Sequence, residues 1–283
     1  MKQSIIEKIR NDELAYESAL MNIAERICGD YQIKMVLIAG GSCAGKTTTT
    51  RKLSELIDAL GRKAYTVSLD DYYRNVEESA YLPDGTRDIE SINSLRLDLI
   101  HESMEKLLSG EEASIPVFDF KTAVRTDDSK RITLKDGDVV LVEGLHALSP
   151  FLFAKQPDQS AVYRVYLYAD AGDGTDCRFV RRMVRDSRHR NSNATETYAL
   201  WDNVKKNEST SIEPFRKYAD VTINTFFDYE RSILNDDAVD LLTTVKEDNP
   251  HYDSAKELID ILDSIEPLGD EYVPENSLLW EFM

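Results

Sequence analysis

The chain has 283 residues, of which 42% are hydrophobic, enough for the packed core of one large domain or two small ones. Its formal net charge of −18 argues against a general nucleic-acid-binding surface and against an anionic membrane as partner. The three cysteines lack the spacing of a metal site or disulfide framework, and neither a membrane-length apolar run nor a secretory leader is evident. These features predict a cytoplasmic protein.

The first predicted elements surround a glycine-rich segment. Residues 3–28 carry an interrupted apolar stripe and are predicted as a helix, which packs on the main domain or forms a homo-oligomer contact. Residues 34–39 form a short apolar run that is typical of a buried strand. Residues 48–60 have apolar side chains at helical spacing, and Gly61 follows as a stop signal. The glycine-rich segment therefore lies between a strand and a helix.

Strands and helices alternate along the following part of the chain. Further strands are predicted over 63–69, 138–144, 161–169 and 219–224, and a helix over 91–109. Alternating strands and helices predict an α/β fold with a parallel sheet and helices on both faces. Helical extensions are predicted over 1–30 and 227–283, on either side of a main domain over 31–226.

The glycine-rich segment matches the phosphate-binding loop pattern G-x-x-x-x-G-K-[ST] in full. It consists of Gly40, Gly41, Ser42, Cys43, Ala44, Gly45, Lys46 and Thr47. Such a loop turns backbone N–H groups toward phosphate oxygens, and the helix N-terminus adds partial positive charge. We expect Lys46 to reach the β- and γ-phosphates and Thr47 to offer its hydroxyl to Mg²⁺. The N/T-K-x-D motif that reads guanine is missing, which argues against a GTPase.

Two acidic residues are expected at the carboxyl ends of strands, where ligands bind in an open parallel sheet. Asp70 is predicted to lie near the γ-phosphate, where its carboxylate could accept the proton of an attacking hydroxyl. Glu143 is predicted to serve Mg²⁺ or its waters. The alternatives are that Asp70 and Asp71 cap the turn after their strand and that Glu143 is a structural carboxylate.

The third candidate feature is a run of arginines in an otherwise acidic chain. It contains Arg178, Arg181, Arg182, Arg185, Arg188 and Arg190, the first four of which share one helical face. Guanidinium groups bind phosphate oxygens bidentately and stabilise the charge that develops during phosphoryl transfer. The arginines therefore indicate a phosphate-binding helix face; the alternative is a solvated helix face paired with Asp176 and Asp186.

Taken in order, these segments resemble the uridine kinase and phosphoribulokinase family of P-loop kinases. The resemblance covers roughly 34–226 and is carried by motifs at 40–48, 70–74, 115–125, 142–148, 181–186 and 217–221. The tail over 273–282 is similar to the C-terminus of a bacterial uridine-kinase-like subgroup. The resemblance implies a P-loop NTPase-type fold with an arginine-rich lid over about 175–195, which would close over the bound nucleotide.

It also implies transfer of the γ-phosphate of ATP, with Mg²⁺, to the 5′-hydroxyl of a nucleoside such as uridine or cytidine. Asp70, Lys46, Arg182 and Arg185 are then the expected catalytic residues, Thr48 joins the nucleotide-binding loop, and Thr47 and Glu143 serve the metal. The implied acceptor-binding residues are Tyr73, Glu90, Phe118, Phe120, Arg125 and Arg182.

Two positions depart from the family pattern. Ala123 stands where uridine kinases usually have a histidine that contacts the pyrimidine edge, and Arg190-Asn191-Ser192 replaces Arg-Gly-Arg. Losing a group that reads the base relaxes or redirects the choice of acceptor. A kinase of another small alcohol, such as a sugar phosphate or pantothenate, therefore stays open, as does an ATP-binding regulatory protein without efficient transfer.

Overall fold

Five parallel strands form the central sheet. The computed structural model describes residues 2–81, 85, 88–120 and 122–283. Its strands are β1 (Met35–Gly40), β2 (Ala64–Ser68), β3 (Ala113–Asp119), β4 (Val124–Ile132), β5 (Val139–Glu143), β6 (Val162–Tyr168) and β7 (Val221–Asn224). The sheet has the order β2, β5, β1, β6, β7, and β3 pairs with β4 in a separate antiparallel hairpin. The five predicted strands agree with the sheet strands to within two residues, so the predicted parallel α/β sheet is confirmed.

The two central strands explain why this sheet needs cover on both faces. Every residue of β1 and of β5 is buried. Successive side chains of a strand point to opposite faces, and accordingly Val36 and Ile38 belong to one hydrophobic cluster while Met35 and Leu37 belong to another. A parallel sheet with such continuous apolar strands is stable only between two layers.

The helices supply those two layers. They are α1 (Lys2–Cys28), α2 (Lys46–Ala59), α3 (Leu97–Ser109), α4 (Cys177–Arg190), α5 (Ala194–Ser211), α6 (Glu230–Ile233), α7 (Asn235–Thr243) and α8 (Tyr252–Leu262). Buried side chains of α3 and of the β3–β4 hairpin form the cluster on one face. The other seven helices and the segment after α8 contribute to the cluster on the opposite face.

The helix predicted over 91–109 begins later than expected, at Leu97. Residues before it are drawn into pairing with the segment after β2, because the Arg74 N–H donates to Ser94 and the Arg96 N–H donates to Tyr72, both at 2.8 Å. Leu95 and Tyr73 thereby form an isolated β-bridge. A long-range backbone contact has overridden the local helical periodicity.

The sequence analysis does not predict the β3–β4 hairpin. Its sequence is interrupted by Pro116, and the register shifts between Ile115 and Val117. The hairpin is fixed next to the carboxyl end of β2, because the Phe118 N–H donates to Asp71 Oδ1 at 3.2 Å and the Arg125 N–H donates to Asn75 Oδ1 at 2.8 Å. Tertiary contacts therefore bring a separate hairpin to the same edge of the sheet as the phosphate-binding loop.

Arg181 of α4 is a charged group in the middle of one of the two cores. Its side chain is fully buried and forms a bidentate pair with Glu230, at 2.9 Å and 2.5 Å. The guanidinium also donates to the backbone oxygens of Cys43 (3.1 Å) and Thr225 (2.6 Å). Such a pair contributes mainly by leaving no buried charge without a partner.

We expect Arg181→Met to lower the free energy of unfolding by about 3–5 kcal/mol, because it leaves the Glu230 carboxylate buried without its counter-ion. Urea unfolding monitored by circular dichroism measures this loss. The matched control is Arg188→Met on the same helix, whose partner Asp237 lies at 2.5 Å in a half-exposed pair and whose loss should cost under about 1 kcal/mol. Equal losses in the two variants would contradict the assignment.

Candidate active site

The phosphate-binding loop connects β1 to α2 at the carboxyl edge of the sheet. Gly45, just before α2, has a φ of 76°, in the left-handed region that favours glycine. A side chain there would also collide with the C-terminal segment, since its Cβ would lie 2.6 Å from Cδ1 of Leu278. Both the backbone and the tail therefore require glycine at this position.

The carbonyl oxygens of the loop are held from outside by side chains of other elements. The contacts are Arg178 Nη1 to Ser42 O, Arg181 Nη1 to Cys43 O and Thr225 Oγ1 to Ala44 O, each at 3.1 Å. Peptide units whose carbonyls are fixed in this way keep a set orientation, which is the condition for a preorganised anion site.

Glu208 of α5 holds the outer side of the loop. It accepts the Ser42 N–H at 2.8 Å and is held in turn by a bidentate pair with Arg178, at 2.7 Å and 2.8 Å. The Ser42 amide is therefore directed toward α5. The donors that are left for a ligand lie further along, at the start of α2.

Helix α2 begins at Lys46, and the first N–H groups of a helix have no acceptor within it. The Thr48 N–H donates to the Glu281 carboxylate of the C-terminal tail at 3.0 Å. The Lys46 ammonium lies back across the loop and donates to the Gly41 carbonyl at 3.0 Å. The loop thus combines a helix N-terminus with the Lys46 ammonium, which is the arrangement that binds phosphate.

Two carboxyl groups meet at the ends of neighbouring strands. Asp70 follows β2, and Glu143 ends β5, paired in register with Ser68. The Glu143 carboxyl accepts the Ser68 hydroxyl at 2.7 Å. Burial and the adjacent Asp70 raise the pKa of Glu143 to about 7, and burial also raises the pKa of Asp70 although Lys46 opposes it. The acid pair is therefore electrostatically unfavourable until a cation or a proton joins it.

These groups fit a magnesium ion. Thr47 and Glu143 line the same cavity and offer the hard oxygen donors that Mg²⁺ prefers. In the described part of the chain no cluster of three or more His, Cys, Asp or Glu side chains is suited to hold a metal by itself. Mg²⁺ commonly takes only one or two protein carboxylates and completes its shell with substrate phosphates and water.

A cavity of about 320 Å³ collects most of the predicted site residues. From the predicted set it is lined by Ser42, Cys43, Lys46, Thr47, Asp70, Tyr73, Glu90, Phe118, Phe120, Glu143, Arg182 and Arg185. Gly40, Gly41, Ala44, Gly45 and Thr48 belong to the surrounding loop and helix start, outside this lining. The loop, both strand ends and the hairpin thus share one pocket.

Three aromatic rings form one wall of the pocket. Tyr73 lies 5.6 Å from Phe118 and 6.0 Å from Phe120, and the two phenylalanine rings lie 5.1 Å apart, measured between centroids. Phe120 is 62% exposed, so its ring is accessible to a ligand in the cavity. A flat, partly apolar ligand suits such a wall.

Glu90 and Arg182 also line the cavity. The Arg182 guanidinium lies 3.7 Å from the Glu90 carboxylate and donates to the Ser42 hydroxyl at 3.0 Å. The Glu90 backbone carbonyl is fixed by His146 Nε2 at 2.9 Å and by Asn207 Nδ2 at 2.8 Å. Arg182 therefore connects the phosphate-binding loop to a carboxylate that points at the cavity.

The arginine run divides between two tasks. Arg178 and Arg181 are bound to Glu208 and Glu230 behind the loop, whereas Arg182, Arg185 and Arg190 reach the cavity. Asp186 pairs with all three of these cavity arginines, at 3.4 Å, 2.7 Å and 3.6 Å respectively. The alternative of a solvated helix face also predicts pairing with Asp186, and that pairing is present. The helix is not a solvated face, however, because most of its residues are buried.

Arg125 lies outside the cavity lining. Its side chain is only 2% exposed and donates to the Tyr73 carbonyl at 2.7 Å and to Asp127 at 2.5 Å. The structure thus gives Arg125 a contact that holds the backbone of Tyr73, beside the cavity.

Sequence reasoning missed several lining residues. They are Ile89, Leu145, Arg190 and Glu281, while Ala123 was noted only as a departure from a pattern. Leu145 and Arg190 lie within the motif and the arginine run already singled out, which could have identified them. Nothing in the sequence indicates that Glu281, over 200 residues after the loop, returns to it.

A larger groove of about 840 Å³ lies at the other end of the strands, near Lys34 and Ala161. It contains none of the predicted residues, and ligands of open parallel sheets bind at the carboxyl ends. We therefore assign the site to the smaller cavity. Among the described residues, every helix is too short or too polar to cross a membrane.

Comparison with known proteins decides the family. Residues 35–230 match the model of the phosphoribulokinase / uridine kinase family, which is more than half of the chain. The chain belongs to this family. The prediction made from the ordered motifs is confirmed, and with it the classification as a kinase.

Two relatives and one solved structure illustrate the similarity. A uridine kinase of Halobacterium salinarum is 30% identical over 190 residues, covering 66% of this chain and 77% of the relative. A uridine kinase of Staphylococcus haemolyticus is 28% identical over 208 residues, covering 73% and 92%. The solved YGR205w protein aligns with a TM-score of 0.51 at 14% identity, covering 69% of this chain and 86% of that one, which supports the fold alone.

The acid pair generates a prediction about pH. When folding raises the pKa of a carboxyl, the protein loses stability as the pH rises from the ordinary pKa of that carboxyl to the raised one. Over this range the carboxyl ionises in the unfolded chain, whereas burial opposes its ionisation in the folded state. Since the pKa of Glu143 moves from 4.5 to about 7, that loss falls between about pH 4.5 and 7. We expect Glu143→Gln to raise the melting temperature by a few degrees at pH 8 and by less at pH 5.

Melting temperatures measured without nucleotide or Mg²⁺ at both pH values test this. The control is Glu257→Gln, an exposed glutamate on α8, which should shift neither temperature appreciably. A Glu143→Gln protein that melts below the wild type at pH 8 would show that the ionised carboxylate stabilises the fold.

Proposed function

We propose that the protein is an ATP-dependent nucleoside kinase that transfers the γ-phosphate of ATP to the 5′-hydroxyl of a uridine- or cytidine-like nucleoside. One observation carries the proposal: the Asp70 carboxyl shares a cavity with Lys46 on one side and with the Tyr73, Phe118 and Phe120 rings on the other. A phosphate-binding loop, a proton acceptor and an aromatic wall in one pocket suit transfer from a nucleotide to a nucleoside.

The donor half of the site is assigned to the loop and to α4. The amides at the start of α2 would hold phosphate oxygens, Lys46 would neutralise the β- and γ-phosphates, and Arg182 and Arg185 would stabilise charge on the transferred group. Thr47 and Glu143 would hold Mg²⁺, which would neutralise phosphate charge when bound. Both carboxyls of the acid pair can then ionise together.

The acceptor half is assigned to the hairpin and to the segment around Glu90. The aromatic wall would stack on the base, and the Glu90 carboxylate would accept hydrogen bonds from ribose hydroxyls. Asp70 would accept the proton of the attacking 5′-hydroxyl. Its raised pKa supports this role, because a carboxylate in a buried site is a stronger base than one in water.

The names of the relatives favour a nucleoside over another alcohol as the acceptor of the phosphoryl group. Two relatives that span about two thirds or more of this chain are uridine kinases. The aromatic wall agrees with a base-bearing acceptor, whereas a sugar phosphate or pantothenate would leave the Phe120 ring uncovered. No observation favours a regulatory protein without transfer.

The choice of base depends on the hairpin turn. Ala123 lines the cavity and brings no polar side-chain atom to it; its φ of 53° lies in the left-handed region. Aspartate, asparagine and histidine tolerate this region better than most residues. Because Ala123 offers no hydrogen bond to a base, the wild-type pocket is expected to accept several nucleosides with modest discrimination.

Asp70→Asn should lower kcat by about 10²- to 10⁴-fold and leave the ATP dissociation constant nearly unchanged, because the amide keeps the shape but accepts no proton. ADP release is measured with uridine, cytidine, adenosine, guanosine, a sugar phosphate and pantothenate as acceptors. Asp71→Asn is the matched control: its amide oxygen can still accept the Phe118 N–H, so kcat should fall by less than about tenfold.

Acceptor-dependent ADP release with none of the four nucleosides would sink the proposed function, and release with a sugar phosphate or pantothenate would redirect it. If Asp70→Asn weakens ATP binding and preserves kcat, Asp70 serves the metal instead of the proton.

Ala123→His should raise kcat/KM for uridine and cytidine relative to adenosine and guanosine by up to about tenfold, the effect of one hydrogen bond to a neutral group. The variant Ala123→Asn, which also tolerates the left-handed backbone, separates the effect of the ring from that of the turn. Strict uridine selectivity in the wild type, unchanged in Ala123→His, would show that the base is read elsewhere.

A further inference from the structure

The C-terminal tail reaches into the phosphate-binding site. Residues Leu278–Glu281 form a single 3-10 turn beside the loop. From this turn Glu281 extends into the cavity, and its Oε2 accepts the Thr48 N–H at 3.0 Å. A tail carboxylate thus binds one of the backbone donors at the start of α2.

That donor is one a phosphate would need. Because the first N–H groups of a helix have no acceptor within it, they bind anions, and the helix dipole favours negative charge there. Glu281 satisfies this preference from within the chain. A carboxylate oxygen and a phosphate oxygen are equivalent acceptors for an amide, so only one of them can use the Thr48 N–H well at a time.

The tail is anchored independently of this contact. Leu278 and Phe282 are fully buried: Leu278 packs on Gly45, and the Phe282 ring lies 4.7 Å from the Arg181 guanidinium. Trp280, between them in sequence, is 42% exposed. The buried anchors hold the turn beside the loop, so the Glu281 side chain can leave the Thr48 amide by a rotamer change while the turn stays in place.

The charges of the site favour exchange over sharing. Glu281 contributes to raising the pKa of Glu143, and it raises the pKa of Arg185, so it interacts with both signs of charge in the cavity. A nucleotide brings several further negative charges to the same amides. Repulsion between them and the Glu281 carboxylate disfavours a state in which both are bound.

We propose that Glu281 competes within the chain for the phosphate position of the nucleotide site and so sets the affinity for ATP. This inference rests on the proposed use of the site for ATP. The carboxylate occupies the Thr48 amide, and nucleotide binding requires it to swing away. The apparent affinity is then reduced by the fraction of molecules in which the amide is free.

The test measures nucleotide dissociation constants by titration calorimetry on the full chain. The probes are ATP with Mg²⁺ and ADP without Mg²⁺, and the proteins are wild type, Glu281→Gln and Glu281→Ala. Both variants should bind both probes more tightly than the wild type, by about three- to thirtyfold. Glu275→Gln, an exposed glutamate of the same tail segment, should bind like the wild type.

Melting temperatures without nucleotide separate competition from a structural role. Competition predicts an unchanged or slightly lower melting temperature together with tighter binding in Glu281→Gln. A lower melting temperature with weaker binding of both probes would mean that Glu281 only braces the loop. Weaker binding of ATP with Mg²⁺ but not of ADP without it would mean that Glu281 is a metal ligand. Either result overturns the proposal.

A measurement on the wild type adds an outcome that does not depend on any variant folding. If ADP displaces Glu281, the turn keeps its place but loses its polar contact with the start of α2, so backbone amides over 278–282 should open more often and exchange hydrogen faster in its presence. Slower exchange there would contradict displacement.

Failure of this inference is distinguishable from failure of the proposed function. Lys46→Ala supplies the reference for a lost nucleotide site. If the wild type binds ATP and Lys46→Ala does not, equal binding in the Glu281 variants overturns the competition alone. If neither the wild type nor any Glu281 variant binds nucleotide, both the function and the competition fail.

Discussion

The structure depends on fixing the peptide units of one short loop. The loop begins at the end of the central strand β1, and its carbonyl oxygens are taken by Arg178, Arg181 and Thr225. Each of these donors lies over 130 residues later in the chain, Arg178 and Arg181 in α4 and Thr225 directly after β7. With the carbonyls bound on the outside, the amides at the start of α2 are left for an anion. The fold therefore prepares an anion-binding site before any ligand arrives.

Holding the loop with charged side chains has an electrostatic consequence. Arg178 and Arg181 are placed behind the loop with Glu208 and Glu230 as counter-ions, in pairs that are nearly or fully buried. Such pairs add little net stability, but they fix direction, because a guanidinium with a bidentate partner has one orientation. Arg182, Arg185 and Arg190 face the cavity and share Asp186, whereas Arg188 pairs with Asp237 outside it. An acidic chain thus concentrates its positive charge where phosphate is expected.

The cavity joins contributions from opposite ends of the chain. The loop and the β2 end come first, the hairpin and β5 supply two rings of the aromatic wall and the second carboxyl, α4 supplies the arginines, and the tail supplies Glu281. The three carboxyl groups and the cationic side chains are close enough for the charge of one to shift the pKa of another. Occupancy of the site by phosphate, metal or proton is therefore coupled through these groups.

Local signals in the sequence determined the sheet, the loop and most of the lining. A phosphate-binding loop is recognisable because its glycines, Lys46 and Thr47 must stand at fixed spacing for backbone geometry, and the strands are recognisable because burial on both faces demands continuous apolar runs. The same locality explains what was missed. The β3–β4 hairpin and the late start of α3 at Leu97 depend on hydrogen bonds to residues around 71–75, far away in sequence.

The division of the arginine run and the position of Glu281 were decided by tertiary structure alone. Periodicity shows which arginines share a helical face, but whether one meets Glu230 in a core or Glu90 at a cavity depends on what packs against α4. Glu281 looks like any exposed acidic residue until the anchors Leu278 and Phe282 bring it to the Thr48 amide. Every residue except proline has the same backbone N–H, so the sequence pattern does not predict which carboxylate will bind a given one.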